Sequence, residues 1–332
     1  MEKAVGLYNF DESVDPPSFS RDLRRWGIPY AILSPLFFKT SGMARALARE
    51  RVKVWLNLPI FYNPAHLELH PEDYCITSSG RRAIHDWSRF VCPRRDPYVE
   101  ALAAGYGALA AQLQPELVSL DFIRHYVFWE TVPLAGGGEI ESGCYCPVCL
   151  DGFERAIGER VDRNAPAVWI RAHAWAAWAA WQTARIDEVT RIFAEAVRNA
   201  SPASRIGVKL VPWRTDDLGG ARSFVTGQEP VGMASFVDYF APMAFTHVLG
   251  KDLVWKEALL RETKRMTGKP VMSFLQTDKL YRDEDLSLEA FQAELQSCLS
   301  DEWAGFPIFA YDQLSRSEAK ADALRRALDA SR

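Results

Sequence analysis

No apolar run in this chain reaches the roughly 18 residues needed to cross a bilayer, so no membrane partner is expected. Basic residues are not in excess either. Thirty-nine Lys and Arg stand against 43 Asp and Glu, a formal charge of −4, which lacks the electrostatic footprint of a nucleic-acid binder. There is no repeat, charge run or low-complexity linker to mark a second domain. An H-E-x-x-H spacing is missing, and Gly136-Gly137-Gly138 matches no phosphate-binding fingerprint, so zinc-peptidase and nucleotide chemistry lose their usual signals. The opening MEKAVGLYNF runs straight into strand-like sequence and leaves no room for a signal peptide. A cytoplasmic protein is expected, with cysteines reduced or metal-bound rather than paired as disulfides.

What is present is a rhythm. Short β-rich runs fall at 3–9, 28–34, 52–58, 117–123, 205–212, 237–243, 270–276 and 306–311. Helical patterns separate them at 18–26, 40–50, 97–113, 166–200, 252–267, 287–301 and 315–330, with the glycine-rich 219–234 the weakest. Eight such alternations of near-continuous apolar strands with helices predict an α/β fold, a single (β/α)8 TIM barrel over 1–332. Two long loop insertions break the pattern, 59–96 after the third strand and 124–165 after the fourth.

Both insertions carry cysteine. Cys92 lies in the first, and Cys144, Cys146 and Cys149 form a C-x-C-x2-C turn in the second. Tetrahedral zinc takes four such ligands at about 2.3 Å, and four thiolates leave no open position for water. The expected cofactor is therefore a structural zinc stapling two neighbouring loops, with no organic cofactor. Four unrelated thiols are the plain alternative, and Cys75 and Cys298 remain as inert buried thiols. Among 11 tryptophans, Trp169, Trp175, Trp178 and Trp181 share one helical stretch. The spacing by three of the last three puts them along one face, for core packing or for a homo-oligomer interface.

Active sites of this fold lie at the C-terminal ends of the strands. The polar and aromatic residues expected there are Tyr8 and Asn9, Asn57 and Tyr62, then Asp121, Arg124, His125, Trp129 and Glu130. Trp213, His247, Gln276, Asp278, Tyr311 and Asp312 complete the ring. Carboxylates, tryptophans and amides converging on one mouth suit a carbohydrate, whose rings stack on aromatics and whose hydroxyls need hydrogen-bonding partners. Asp121 leads the carboxylates, since it ends an apolar strand and a buried charge without a task is costly; a rim salt bridge to Arg124 or another cation is the structural alternative. Glu130 is the candidate acid/base on the loop leading to the cysteines, or else a solvated loop residue. Asp278 and Asp312 compete for the second catalytic role. The histidines, His66 and His70 included, are as readily local hydrogen-bonding residues as sugar contacts.

Two family resemblances attach to these residues. Cys92-Pro93 with Tyr98, followed by Cys144, Cys146 and Cys149, resembles the zinc motif of the family 42 β-galactosidases. Leu120-Asp121-Phe122-Ile123-Arg124, Val211-Pro212-Trp213, Asp238-Tyr239-Phe240-Ala241-Pro242-Met243 and the closing GFPIFAYDQL are similar to strands of the family-10-like glycosyl-hydrolase-like barrels. The resemblance implies a TIM-barrel glycoside hydrolase acting on an intracellular oligosaccharide or glycoside through a carboxylate acid/base mechanism. It departs from family 42 at both catalytic glutamates: strand seven, PVMSFLQTD, has none, and the nearest counterpart of the Asn-Glu pair is Trp129-Glu130. A non-catalytic carbohydrate-binding barrel and a barrel lyase or isomerase therefore stand as alternatives.

Overall fold

The computed structural model describes residues 4–39, 42–134 and 139–331. Lys3, the first two positions of the helix expected from 40, and Gly136 to Gly138 lie outside them. Eight strands run parallel: β1 (Ala4–Tyr8), β2 (Tyr30–Leu33), β3 (Lys53–Pro59), β4 (Leu117–Asp121), β5 (Arg205–Leu210), β6 (Tyr239–Pro242), β7 (Leu275–Gln276) and β8 (Gly305–Phe309). The sheet order is β6-β5-β4-β3-β2-β1-β8-β7. It curls until its edges meet: Phe240 N–H donates to Pro270 O at 3.0 Å, and Met272 N–H donates to Phe240 O at 2.9 Å. The seventh run is regular strand only over its last two residues, because 270–274 pairs through this isolated bridge.

Helices cover the outside, several of them cut by a legible signal. The Asp15 carboxylate accepts from Ser18 N–H to start α1 (Pro16–Trp26), and Gly27 ends it at φ 75°. Asp252 and Ser287 cap α7 (Leu253–Thr267) and α8 (Leu288–Cys298) in the same way; α2 (Met43–Glu50), α3 (Asp96–Leu113) and α9 (Glu318–Ala330) fill the other faces. Two expectations are corrected. The single helix expected over 166–200 is two, α5 (Pro166–His173) and α6 (Trp175–Ala200), broken at Ala174, whose backbone is non-helical (φ −141°, ψ 26°). The second insertion also holds a helix, α4 (Pro147–Ile157), begun by Pro147 at its first position.

Alternation along the strands sorts the interior into layers. Trp55, Ser119 and Tyr239 fill the lower one, where Trp55 Nε1 donates to Ser119 Oγ at 2.7 Å and Tyr239 OH donates to Val118 O at 2.7 Å. Gly207 on β5 makes room, since a Cβ there would stand 2.1 Å from the Tyr239 ring. Two residues further along three adjacent strands, the same face presents Asn57, Asp121 and Lys209.

Candidate active site

That upper layer is a charged cluster at the C-terminal mouth. Lys209 Nζ donates to Asp121 Oδ2 at 2.7 Å and to Asn57 Oδ1 at 2.6 Å, and Asn57 Nδ2 donates to Asp121 Oδ2 at 3.1 Å. The other oxygen, Oδ1, accepts from Phe122 N–H at 2.9 Å. All three side chains are buried. The cation that pairs with Asp121 is thus Lys209 rather than Arg124. Burial pulls the Lys209 ammonium below its ordinary pKa while Asp121 draws it back up. The ammonium lies 4.2 Å from the centre of the Tyr8 ring, and the buried Tyr8 hydroxyl has no partner among the described residues.

Beyond Asp121 the backbone turns through Phe122 at φ 51°, a left-handed conformation that costs a non-glycine residue about 1 kcal/mol or more. The turn carries the chain to Trp129 and Glu130 over the mouth. Glu130 Oε2 is buried with no partner among the described residues. Burial, countered by Arg124 and reinforced by Asp121, pushes its carboxyl up to about 7. The Arg124 guanidinium sits behind both carboxylates, 4.8 Å from the Phe90 ring centre, and donates to Val127 O at 2.8 Å. One acid poised near neutrality beside a carboxylate held by a cation is the pairing that acid/base chemistry uses.

Asp121, Glu130 and Lys209 face a common cavity of about 370 Å³, walled by Tyr8, Phe10, Tyr62, Phe122, Trp129, Phe245, Phe274 and Phe309. Trp87, from the hairpin in the first insertion, and Tyr281, from the loop after β7, meet over it through a hydrogen bond from Trp87 Nε1 to Tyr281 OH. Of the expected residues, Tyr8, Tyr62, Asp121, Trp129 and Glu130 line the cavity, and Asn57 and Arg124 support it. The others point elsewhere. His125 is buried behind β4 with Nε2 3.4 Å from Gln182 O, and desolvation, aided by Arg94, lowers its pKa to about 3. Tyr311 donates to Asp22 Oδ2 at 2.7 Å among α1 side chains. Asn9 donates to Asp11 O, and Gln276 Nε2 to Asp278 O. Trp213 is buried in the core and His247 is half-buried on a short helix outside the cavity. Asp278 and Asp312 sit on the rim, about half exposed, 3.9 Å from Lys320 and Arg316. His66 pairs with Asp73 at 2.7 Å in a separate groove beside His70.

Lys209 was not anticipated, although a lysine inside the apolar run IGVKLV is as visible as Asp121 in LVSLD. The aromatic residues of the distant loops, Trp87 and Tyr281, carry no local signal at all.

The cysteines do converge. The sulfurs of Cys92, Cys144, Cys146 and Cys149 all lie within 4.8 Å of one another, buried, with Cys92 3.5 Å from both Cys146 and Cys149. Four bonds of about 2.3 Å in a tetrahedron place sulfurs roughly 3.8 Å apart, so the set has the size a metal requires. Ile76 N–H donates to Cys144 Sγ at 3.4 Å. Cys146 caps α4 and Cys149 lies in its first turn, where the helix N-terminus favours thiolate; hydrogen bonds from Cys144, Cys149 and Cys92 hold Cys146 far below the ordinary thiol range. Gly143 lets the two insertions touch: a Cβ there would meet Cys75 Sγ at 2.4 Å. The tryptophan stripe packs against this knot. Trp178 stacks on Tyr145 at 5.2 Å and meets the edge of Phe153 at 4.8 Å, while Arg94 lies 3.3 Å from the Trp181 ring centre. The stripe faces its own chain, so it no longer argues for an oligomer interface.

No family model and no curated protein sequence matches the chain. Solved structures do resemble it. The β-galactosidase from the psychrophilic Marinomonas ef1 superimposes with a TM-score of 0.71 at 11% identity, covering 98% of this chain and 59% of that one. The β-galactosidase of the Antarctic haloarchaeon Halorubrum lacusprofundi gives 0.70 at 13% identity, covering 98% and 58%. The PgaB (BpsB) glycoside hydrolase domain from Bordetella bronchiseptica gives 0.71 at 15% identity, covering 98% of both chains. This chain spans a little under three-fifths of the two β-galactosidases. At these identities the likeness is one of fold.

Proposed function

We propose that the chain is a (β/α)8-barrel glycoside hydrolase in which Glu130 is the general acid and Asp121 the ionised partner. The observation that carries the reading is Glu130, a buried carboxyl with an unpartnered oxygen, lining the same cavity as an Asp121 held by Lys209. Neighbours of like fold that are glycosidases support it. Glu130 gives a proton to the glycosidic oxygen as the bond to the sugar breaks, and Asp121 stabilises or attacks the electron-poor anomeric carbon. Lys209 and Asn57 fix the aspartate in place. Asp278 and Asp312 are assigned no part.

The proposal includes a structural zinc held by Cys92, Cys144, Cys146 and Cys149, which supplies no chemistry and fixes the loop bearing Glu130. A carbohydrate substrate and a cytoplasmic setting complete it. The test is hydrolysis of a panel of aryl glycosides and short oligosaccharides by wild type, Asp121→Asn and Glu130→Gln. One sugar should turn over, with losses of about a hundredfold or more in each variant. A sugar that raises the melting temperature while none is cleaved would favour the non-catalytic binding barrel.

A second reading, a barrel lyase, draws on one observation: Lys209 is a buried amine lining the cavity, its pKa lowered by burial. Covalent trapping of a carbonyl substrate on Lys209 by borohydride would bring that reading forward.

A further inference from the structure

The cavity is furnished unevenly for a sugar chain. Of its fifteen lining residues ten are aromatic and two aliphatic, and only Asp121, Glu130 and Lys209 are charged; among the described residues no amide, serine, threonine, histidine or arginine reaches it. Pyranose hydroxyls buried without partners cost on the order of 1–3 kcal/mol each. The charged groups and the unpartnered Tyr8 hydroxyl serve one sugar ring at the reacting bond, while the stretch of wall made by Phe10, Phe245, Phe274 and Phe309 offers apolar rings alone. That wall is continuous. Tyr8 and Phe10 stack at 5.4 Å with planes 4° apart, and Phe10 packs on Phe309 at 5.3 Å. Phe245 joins Phe309 at 5.4 Å and Phe274 at 5.1 Å. Phe10 ends the series at the mouth, 53% exposed, a large apolar face open to water where a ligand would enter. At about 370 Å³ the volume is near the lower end of the roughly 300–1,000 Å³ of ligand pockets, enough for one sugar ring and one flat ring beside it.

Phe245 also stacks on Trp129, the residue before Glu130, at 6.3 Å, which ties the wall to the loop of the proton donor. We infer that this wall binds a flat aromatic aglycone, which makes the substrate class a monoglycoside of a phenol rather than an oligosaccharide. This rests on the hydrolase reading and narrows it. In the reaction the bond between the anomeric carbon and the phenolic oxygen breaks. The phenol departs with the proton of Glu130, and water delivers hydroxyl to the carbon and a proton back to Glu130. Ring-on-ring contact is worth about 0.5–1.5 kcal/mol per pair beyond simple burial, so each wall residue should be felt in binding.

The experiment has a binding arm and a kinetic arm. Free 2-naphthol is titrated into wild type, Phe10→Ala and, as a control on an exposed apolar residue away from the cavity, Leu69→Ala. Phe10 is half exposed, so its truncation leaves the core intact; Phe309→Leu, which keeps most of the volume, is the second variant. One saturable site is expected, weakened about three- to tenfold by Phe10→Ala and by Phe309→Leu and unchanged by Leu69→Ala. Phe10→Ala should raise KM for the 2-naphthyl glycoside of the sugar accepted by a larger factor than it raises KM for the methyl glycoside; equal factors would count against the aromatic site. Hydrolysis of disaccharides without naphthol binding, or with no response to Phe10→Ala, would overturn the inference and leave the hydrolase standing. Naphthol binding without turnover of any glycoside would instead sink the hydrolase reading and uphold the aromatic site.

Discussion

Lys209 Nζ and Asp121 Oδ2, on neighbouring strands, stand 2.7 Å apart with both side chains buried at the barrel mouth. An ion pair in that position is poor value as a stabiliser, because desolvating two charges roughly cancels their attraction. Its worth is positional: it holds the Asp121 carboxyl in a fixed orientation at the edge of an apolar cavity.

Removing the lysine should show this. Lys209→Met leaves Asp121 with only Asn57 and the Phe122 N–H, and stranding a buried charge costs about 3–5 kcal/mol. Urea unfolding near neutral pH should show a loss of that order. Lys209→Met with Asp121→Asn should recover much of it. Strictly additive losses in the pair would mean that the two charges are not coupled.

Glu130 yields a prediction about pH with a definite sign. Its carboxyl is moved from an ordinary 4.5 to about 7, chiefly by burial, so the folded state binds the proton more tightly than the unfolded chain. Its contribution to stability is therefore fully present below about pH 4.5 and is lost as pH rises through about 7. At about 1.4 kcal/mol per pH unit the loss is about 3 kcal/mol. Glu130→Gln removes the ionisation, so unfolding free energies of wild type and variant should diverge across that window; parallel curves would contradict the assignment. In turnover, the acid must be protonated, and kcat/KM should decline above about pH 7.

How much of this was legible in the sequence follows from where each signal sits. Near-continuous apolar runs alternating with helical stretches announced the strands, and Asp121 stood out as the polar end of one. Lys209 carries the same mark on the next strand, yet nothing local says that its neighbour across the sheet is an aspartate. His125 and Tyr311 show the opposite problem. Both follow a strand end within a few residues, and one backbone turn decides which way a side chain points. Phe122 at φ 51° sends His125 behind the sheet toward Gln182, and Tyr311, at the start of a short helix, turns to Asp22. Trp87 and Tyr281 meet across 194 positions of sequence, a pairing that only the closed fold creates. The cysteine cluster was readable because its ligands need only spacing and two adjacent loops.

Those four cysteines should report on the metal directly. Elemental analysis should find about one zinc per chain, and exhaustive chelation should lower the melting temperature by on the order of 10 °C, since structural zinc contributes its binding energy to folding. The knot holds both insertions, so Trp87 and Glu130 should loosen together and kcat should fall more than KM rises. Cys149→Ser should reproduce the effect without chelator. Protein that contains no zinc and keeps its melting temperature under chelation would remove the metal from the account.

Two glycines, finally, separate packing at the site from packing elsewhere. Gly207 lies one layer beneath Lys209, and a methyl there would meet the Tyr239 ring at 2.1 Å. That ring is buried and its hydroxyl is committed to Val118 O and to Ser119, so it cannot swing aside without breaking hydrogen bonds. Gly207→Ala should cost roughly 2–4 kcal/mol and should also reduce turnover, because the strand that shifts is the one carrying Lys209. Gly105, exposed in α3, has nothing within 4 Å of an added methyl. Gly105→Ala should stabilise by about 0.5–1 kcal/mol, through helix propensity and a less flexible unfolded chain, with activity unchanged. Equal effects at the two positions would mean that the tight layer under the charged cluster does not govern its geometry.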